Sequence, residues 1–283
     1  MKIRLNNFTA EYAEIKLEID AAIASVLNSG QYILGDNVRY FEKKLAKFIG
    51  VKYCVGVASG TDAITLSLLA NGIGEGDEVI TSNFTAYPTV AAIINSGATP
   101  ILVDVSLNNA LIDVNLIETA ISQKTRAIIP VHLYGHPCNM KAIKKISKKY
   151  KLTIIEDCAQ ALGAEYNGKK IGSFGNCGAF SFYPTKNIGA YGDAGAVVTN
   201  NLLLYKQLIS LRNYGNVEGD LHQENGLNSR MDEIQAAILC VKLKYVEEWN
   251  SRRIAIGNYY SDNIKNQELF FFDLNIKHVY HIF

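Results

Sequence analysis

Lys186 stands in the segment SFYPTKNIG (181–189), whose apolar and glycine neighbours would strip water from an ammonium and lower its pKa. A lysine in that setting is the usual trap for a carbonyl in Schiff-base chemistry. Asp157 ends the apolar run IIED (154–157), and a carboxylate at the end of a buried strand is costly unless a positive group meets it. Ser59-Gly60-Thr61 lies between a β-rich run, VKYCVGV (51–57), and the helical pattern of Ile64, Leu66, Leu68 and Leu69. A glycine at a strand-to-helix turn admits close approach to the backbone, while the free N–H groups and dipole of the helix start favour an anion. Taken singly, each feature is structural more often than not, since most helix caps serve only their helix. Taken together they offer an anion site, a carboxylate and a reactive amine, the handles that pyridoxal phosphate needs at its phosphate, its pyridine nitrogen and its aldehyde.

Other motifs carry less. GAEYNGKK (163–170) nearly spells a phosphate-binding loop, yet Lys170 stands where Ser or Thr should hold magnesium and no helix follows. His132 and His136 are four apart, but Gly135 and Pro137 put them on a loop after a strand, so no metal site is expected. Cys158 follows Asp157 with no electropositive sequence around it and reads as a buried thiol. The five cysteines are scattered and never form a CxxC pair, which fits a reducing compartment and a cytoplasmic protein. The opening MKIRLNNFTAEYAEIK has no apolar stretch behind its charges, and Val90 to Val105 is broken by Asn95, Gly97, Pro100 and Asp104, so neither a signal peptide nor a membrane span is expected.

These groups must be positioned by a scaffold, and 283 residues allow one large domain or a large and a small one. Hydrophobic residues make up 48% and charged residues 19%, close enough to the usual globular figures of about 45–50% and 25% to exclude disorder, collagen and coiled coil. Lys plus Arg total 28 and Asp plus Glu 27, a net charge of +1, so there is no electrostatic footprint for nucleic acid or an anionic membrane. Any nucleotide would be held locally.

Helical and strand-like patterns alternate along the chain. Phe41, Leu45, Phe48 and Ile49 fall at helical spacing before Gly50, a C-terminal cap. There follow EVITS (78–82), a short helix around 88–96, TPILVDV (99–105), a helix near 115–122, RAIIPVHL (126–133), a Lys-rich helix at 139–150 and LTIIED (152–157). Repeated βα units predict an α/β fold, with a mostly parallel sheet covered by helices on both faces and ligands at the carboxyl ends of its strands. After Asp157 the texture turns to hairpins, with Asn167-Gly168 as a turn, then GAFSFYP (178–184) and GAVVTN (195–200). Helices dominate from Asn201: one at 201–213 and a long one from Met231 to Gln267, with breaks expected near Asn250 and Gly257. KHVYHIF (277–283) reads as a strand that lacks most of its sheet partners.

In YILGDNVRYFEKKLAKFIGVKYCVGVASGTDAITLSL (32–68), GIGEGDEVI (72–80), IIEDCAQALGAEYNGKKIGSFGNCGAFSFYPTKNIGAYGDAGAVVTN (154–200) and GLNSRMDEIQAAIL (226–239), the chain resembles the sugar aminotransferases of the DegT/DnrJ/EryC1/StrS family. These are fold type I pyridoxal phosphate enzymes, and the resemblance runs over essentially the whole chain. It implies that Lys186 is the Schiff-base lysine, Asp157 the partner of the pyridine nitrogen, and Gln160 the group near the ring hydroxyl. Ser59, the Gly60 and Thr61 amides, the Thr61 side chain and Ser181 would hold the phosphate. Asn228, in GLNSRM, resembles a residue that reaches the phosphate of the neighbouring subunit, which implies a homodimer with a shared active site.

Two departures from the family pattern matter. An aromatic that stacks on the cofactor often follows the Thr of the segment matching Asn83-Phe84-Thr85, but Ala86 stands there; Tyr87, or else Phe84, is expected to replace it. Members also continue beyond HVYHIF. The expected division is therefore a large cofactor-binding domain at 1–245 and an incomplete small C-terminal domain at 246–283, with good cofactor binding and poor turnover. The resemblance implies amino transfer, with glutamate as donor, to a nucleotide-linked keto sugar. KNIGAYGDAG (186–195) is similar to members that act on 3-keto-6-deoxyhexoses. A 4-keto sugar enzyme, or a truncated cofactor-binding paralogue with little turnover, are the alternatives.

Overall fold

Short β-branched runs separated by amphipathic helices bury the strands between helix layers. A computed structural model describes residues 6–218, 221–222, 225–266 and 276–283. In chain order the elements are α1 (Phe8–Ser29), α2 (Asp36–Ile49), β1 (Tyr53–Val57), α3 (Gly60–Ala70), β2 (Glu78–Ser82), α4 (Tyr87–Asn95), β3 (Thr99–Val103) and α5 (Val114–Ile117). They continue with β4 (Thr125–Ile129), α6 (Met140–Tyr150), β5 (Thr153–Asp157), β6 (Glu165–Tyr166), β7 (Lys169–Lys170), β8 (Cys177–Ser181), β9 (Gly195–Thr199), α7 (Leu202–Leu211), β10 (Asn216–Glu218), β11 (Leu221–His222), α8 (Glu233–Lys242) and α9 (Val246–Asn263).

Seven strands form one sheet in the order β1-β9-β8-β5-β4-β2-β3. Every pairing from β8 to β3 is parallel, and β9 runs antiparallel to both β1 and β8. Alternation along the strands divides the core in two. Cys54, Ile128, Ile154 and Val198 face α1, α2, α6 and α8. Val55, Ile129, Ile155 and Val197 face α3, α4 and α7. The same alternation sends Glu156 to the first layer and Asp157 to the second, beside the start of α3.

Several expectations need correction. The N-terminal segment, for which no element is assigned from the sequence, forms the helix α1, with Ile15, Ile19 and Val26 as its buried positions. The expected helix near 115–122 shrinks to one turn of α5 and a short 3-10 stretch to Ala120. The long helix is divided at residues 243–245 instead of at Asn250 or Gly257, both of which lie inside α9, and Gln267 lies outside the described residues. Asn250 is tolerated there because its side chain donates to the Leu162 carbonyl at 2.8 Å and accepts from Asn187 Nδ2 at 2.8 Å. Gly257 makes room for a ring: a Cβ would lie 2.6 Å from Tyr280.

KHVYHIF is not a strand either. One bridge joins Lys277 to Glu165, and Tyr280 takes a left-handed φ of 43° that interrupts the extension. Its partners come from the loop after β4: Val279 N donates to the Gly135 carbonyl at 3.1 Å and His281 N to the Tyr134 carbonyl at 2.8 Å. Val279 is thereby fully buried.

Candidate active site

The carboxyl ends of β1, β5 and β8 open on one cavity of about 300 Å³. At the first end, Ser59 caps α3, its hydroxyl accepting from the Asp62 amide at 3.0 Å. Gly60 is required by packing, because a Cβ there would lie 2.6 Å from the Ser181 Cβ. Helix start and strand end thus meet face to face, with Thr61 and Ser181 beside them. Gly195 has the same origin: a Cβ would strike the Ser59 carbonyl at 2.2 Å. Ser229 ties this corner to GLNSRM, accepting from the Ala58 amide at 3.1 Å and donating to Asp62 at 2.7 Å.

Asp157 is only 5% exposed, and both carboxylate oxygens are engaged. Oδ2 accepts from the Thr89 hydroxyl at 2.8 Å and Oδ1 from the Ala159 amide at 3.0 Å. Thr89 in turn lies 2.9 Å from the Thr85 hydroxyl, and both threonines line the cavity. Lys186 faces the same space. Burial lowers its pKa, and the negative charge of Asp157 opposes that shift. Gln160 also lines the cavity, its Oε1 accepting from the Tyr134 amide at 2.6 Å. His281, in the terminal segment, is pushed down to about 3 by burial, with the positive charges of Lys186 and Arg253 adding to the effect.

Behind Asp157, the fully buried Glu156 accepts from the amides of Gly172, Phe174 and Gly175 at 3.0, 2.8 and 2.8 Å. His132 Nε2 sits 3.3 Å from the same carboxylate, while its Nδ1 accepts from the Cys138 amide at 3.0 Å. His132, Glu156 and Cys158 gather donor atoms within 4.8 Å of one another. Glu156 is committed to amides, and burial pushes the Cys158 thiol well above its ordinary value. The trio therefore reads as the support of β5.

Of the residues singled out from the sequence, Ser59, Gly60, Thr61, Asp157, Gln160, Ser181 and Lys186 come together around the cavity. Two do not. Tyr87, expected to stack on the cofactor, opens α4 with 74% of its surface exposed, and its neighbours Ala86 and Pro88 line the cavity instead. Phe84 is also outside the lining and packs edge-on to Tyr134. Asn228 is exposed and bridges to Asn213, outside the cavity of its own chain. Sequence reasoning missed Thr85, Thr89, Tyr183 and Asp193, all of which line the cavity. The spacing of Thr85 and Thr89, four residues apart, was the available signal.

The profile of the DegT/DnrJ/EryC1/StrS aminotransferase family matches residues 13–283. The chain is 46% identical over 251 residues to the dTDP-3-amino-3,4,6-trideoxy-alpha-D-glucose transaminase of Streptomyces venezuelae, an alignment that covers 89% of this chain and 66% of that protein. It is 49% identical over 249 residues to the dTDP-3-amino-3,6-dideoxy-alpha-D-galactopyranose transaminase of Aneurinibacillus thermoaerophilus, covering 88% of this chain and 69% of that one. The chain thus spans about two thirds of the length of both relatives. Among solved structures, S. venezuelae DesV in complex with ketimine intermediate superimposes with a TM-score of 0.97 at 42% identity, over 100% of this chain and 77% of that one.

Proposed function

The chain belongs to the DegT/DnrJ/EryC1/StrS aminotransferase family, and on that premise we propose that it is a pyridoxal phosphate-dependent aminotransferase acting on a keto sugar carried by a nucleotide. The observation that carries this reading is the convergence of Lys186, Asp157 and the start of α3 on one cavity. The donor set fits the cofactor. An amine with a lowered pKa shares the cavity with a buried carboxylate that accepts one hydrogen bond on each oxygen and can accept another, and a helix start approached this closely favours an anion. When bound, the cofactor supplies the electron sink through which an amino group passes between two carbon skeletons.

The chain's own residues divide the remaining work. Lys186 would hold the aldehyde and, once freed by the amino donor, its Nζ would be the base that takes a proton from the donor carbon and delivers it to the cofactor carbon that had carried the aldehyde. Burial favours this amine in its neutral, proton-accepting form. Asp157, clamped by Thr89 and Ala159, would keep the pyridine nitrogen protonated. The Gly60 and Thr61 amides, with the Thr61 and Ser181 hydroxyls, would take the phosphate at the positive end of α3. Gln160 would meet the ring hydroxyl through its amide nitrogen.

We read the substrate as a nucleotide-linked 3-keto-6-deoxyhexose. Two relatives above 45% identity are, by name, transaminases of dTDP-3-amino sugars, and the stretch that begins at the lysine is KNIGAYGDAG (186–195). We further read the protein as a cytoplasmic homodimer in which Asn228 serves the second copy's phosphate, with glutamate as donor. Residues 1–245 would be its large domain and 246–283 part of a smaller one. Among the described residues, no helix is long and apolar enough to cross a membrane.

The test combines borohydride trapping with turnover. Pyridoxal phosphate should be fixed to Lys186, glutamate should convert it to pyridoxamine phosphate, and a 3-keto nucleotide sugar should then be aminated at C3. Label on another lysine refutes the site. Amination at C4 of a 4-keto sugar instead refutes the regiochemistry.

A further inference from the structure

Lys242, the last residue of α8, is 1% exposed. Its Nζ donates to the Gly189 carbonyl at 2.6 Å, pairs with Glu11 of α1 at 2.5 Å and sits 4.3 Å from the centre of the Tyr191 ring. A buried lysine with one carboxylate partner is a poor stability device, because desolvation offsets much of the Coulombic gain. What its contacts do achieve is to fix the chain just downstream of Lys186.

That stretch leaves β8 and returns to β9. Ala190 N donates to the Phe182 carbonyl at 2.7 Å, closing a loop that carries Lys186 at its far side. Gly189 is pressed against the loop's own start, where a Cβ would meet the Pro184 carbonyl at 2.3 Å. The Asn187 side chain is held by Asn250 and by the Val279 carbonyl, at 2.8 and 3.1 Å. On the other side, α8 grips the loop twice: Lys242 takes the Gly189 carbonyl, and Gln235 Oε1 accepts from the Tyr191 amide at 2.9 Å. Without Lys242, the Gly189 carbonyl would be left as a buried, unpaired acceptor, and the loop could regain a partner only by shifting.

We propose that Lys242 is a positioning residue for Lys186, acting through the Gly189 carbonyl and the seat of Tyr191. This rests on Lys186 being the lysine that bonds the cofactor. Proximity chemistry is steep in placement, since a shift of about 1 Å at a reacting group can cost on the order of 100-fold in rate.

The test measures the rate at which added pyridoxal phosphate becomes covalently bound, condensing with the amine and releasing water. It is followed by absorbance, by borohydride-trapped label on Lys186 and by thermal unfolding of the unliganded protein. Lys242→Met should slow bond formation at Lys186 at least tenfold and lower kcat with little change in the sugar's KM. Lys242→Arg, which keeps charge and donor, should recover most of the loss. Glu11→Leu separates the roles: it removes the ion pair but keeps the carbonyl bond, so it should lower Tm yet bond the cofactor at nearly the wild-type rate. Equal slowing in Glu11→Leu and Lys242→Met would show that Lys242 only anchors α1 and overturn the proposal, as would a folded Lys242→Met with a wild-type rate. If Lys242→Met does not fold, Lys242→Gln decides: slowing of threefold or more supports the proposal and an unchanged rate overturns it. Failure of the wild-type protein to label Lys186 would instead refute the functional reading.

Discussion

Thr89→Val removes one hydroxyl and keeps the shape of the side chain. That hydroxyl lies 2.8 Å from Asp157 Oδ2, and the two residues are 1% and 5% exposed. Both residues line the cavity, but so little of either is exposed that water there replaces the bond only in part. A hydrogen bond to a charged group contributes about 1.5–3 kcal/mol, and leaving a buried acceptor unpaired costs in the same range. The other carboxylate oxygen keeps its bond to Ala159 N, and Thr85, which faces the cavity, can turn to solvent. The net loss is therefore about 2 kcal/mol, equivalent to a Tm lower by about 3 °C for a chain of 283 residues. Thermal unfolding of the unliganded protein reads it, and a double-mutant cycle with Asp157→Asn assigns it. In the Asn background the same change should cost less than about 1 kcal/mol, because the bond is then neutral, leaving a coupling of about 1–2 kcal/mol. Equal losses in both backgrounds, or none in the wild type, would refute the view that Thr89 orients this carboxylate. If Thr89 does orient it, kcat should fall in Thr89→Val and recover in Thr89→Ser.

Burial lowers the pKa of Lys186, so the native chain binds fewer protons than the unfolded one between the lowered value and the ordinary lysine value. Stability therefore rises with pH across that window, and the full penalty is present below it. Lys186→Met should accordingly raise the Tm of unliganded protein near pH 7, with the gain shrinking as pH climbs; a gain that grew with pH would contradict the sign. Gly60→Ala should weaken cofactor affinity tenfold or more by equilibrium titration, because the new Cβ at 2.6 Å from Ser181 must push helix start and strand end apart. Mixing Lys186→Ala with Asn228→Ala protomers should restore part of the activity through one intact composite site; mixed dimers that stay inactive would confine each pocket to its own chain.

What could be read from the sequence was whatever local rules determine. Gly50, Asn167-Gly168 and the apolar runs set their elements nearly to the residue, and the strand and helix flanking Ser59 to Thr61 followed from periodicity alone. Longer-range facts escaped for a physical reason. Asn250 and Gly257 read as helix breakers because local propensity counts against them. Tertiary partners override that count: Asn250 bonds Leu162 and Asn187 across the fold, and Gly257 yields space to Tyr280. KHVYHIF failed in the opposite way. Its alternation was real, but the partners that bury Val279 lie on a loop and not on a strand.

The same distinction explains which part of the site was legible. Alternation in IIED fixes Asp157, and not Glu156, as the carboxylate that shares a layer with α3, so its role follows from parity once the sheet is known. The groups that hold the site's geometry lie far away in sequence. Thr89 reaches Asp157 across 68 residues, Asn250 reaches Asn187 across 63, and Lys242 reaches Gly189 across 53. Each such residue looks like an ordinary polar or charged position in its own helix, and only the packing of α4, α8 and α9 on the loop and strand ends gives it a partner. The candidate amine and carboxylate thus announce themselves by local environment, whereas the residues bonded to their strand end and loop lie in sequence neighbourhoods that carry no chemistry at all.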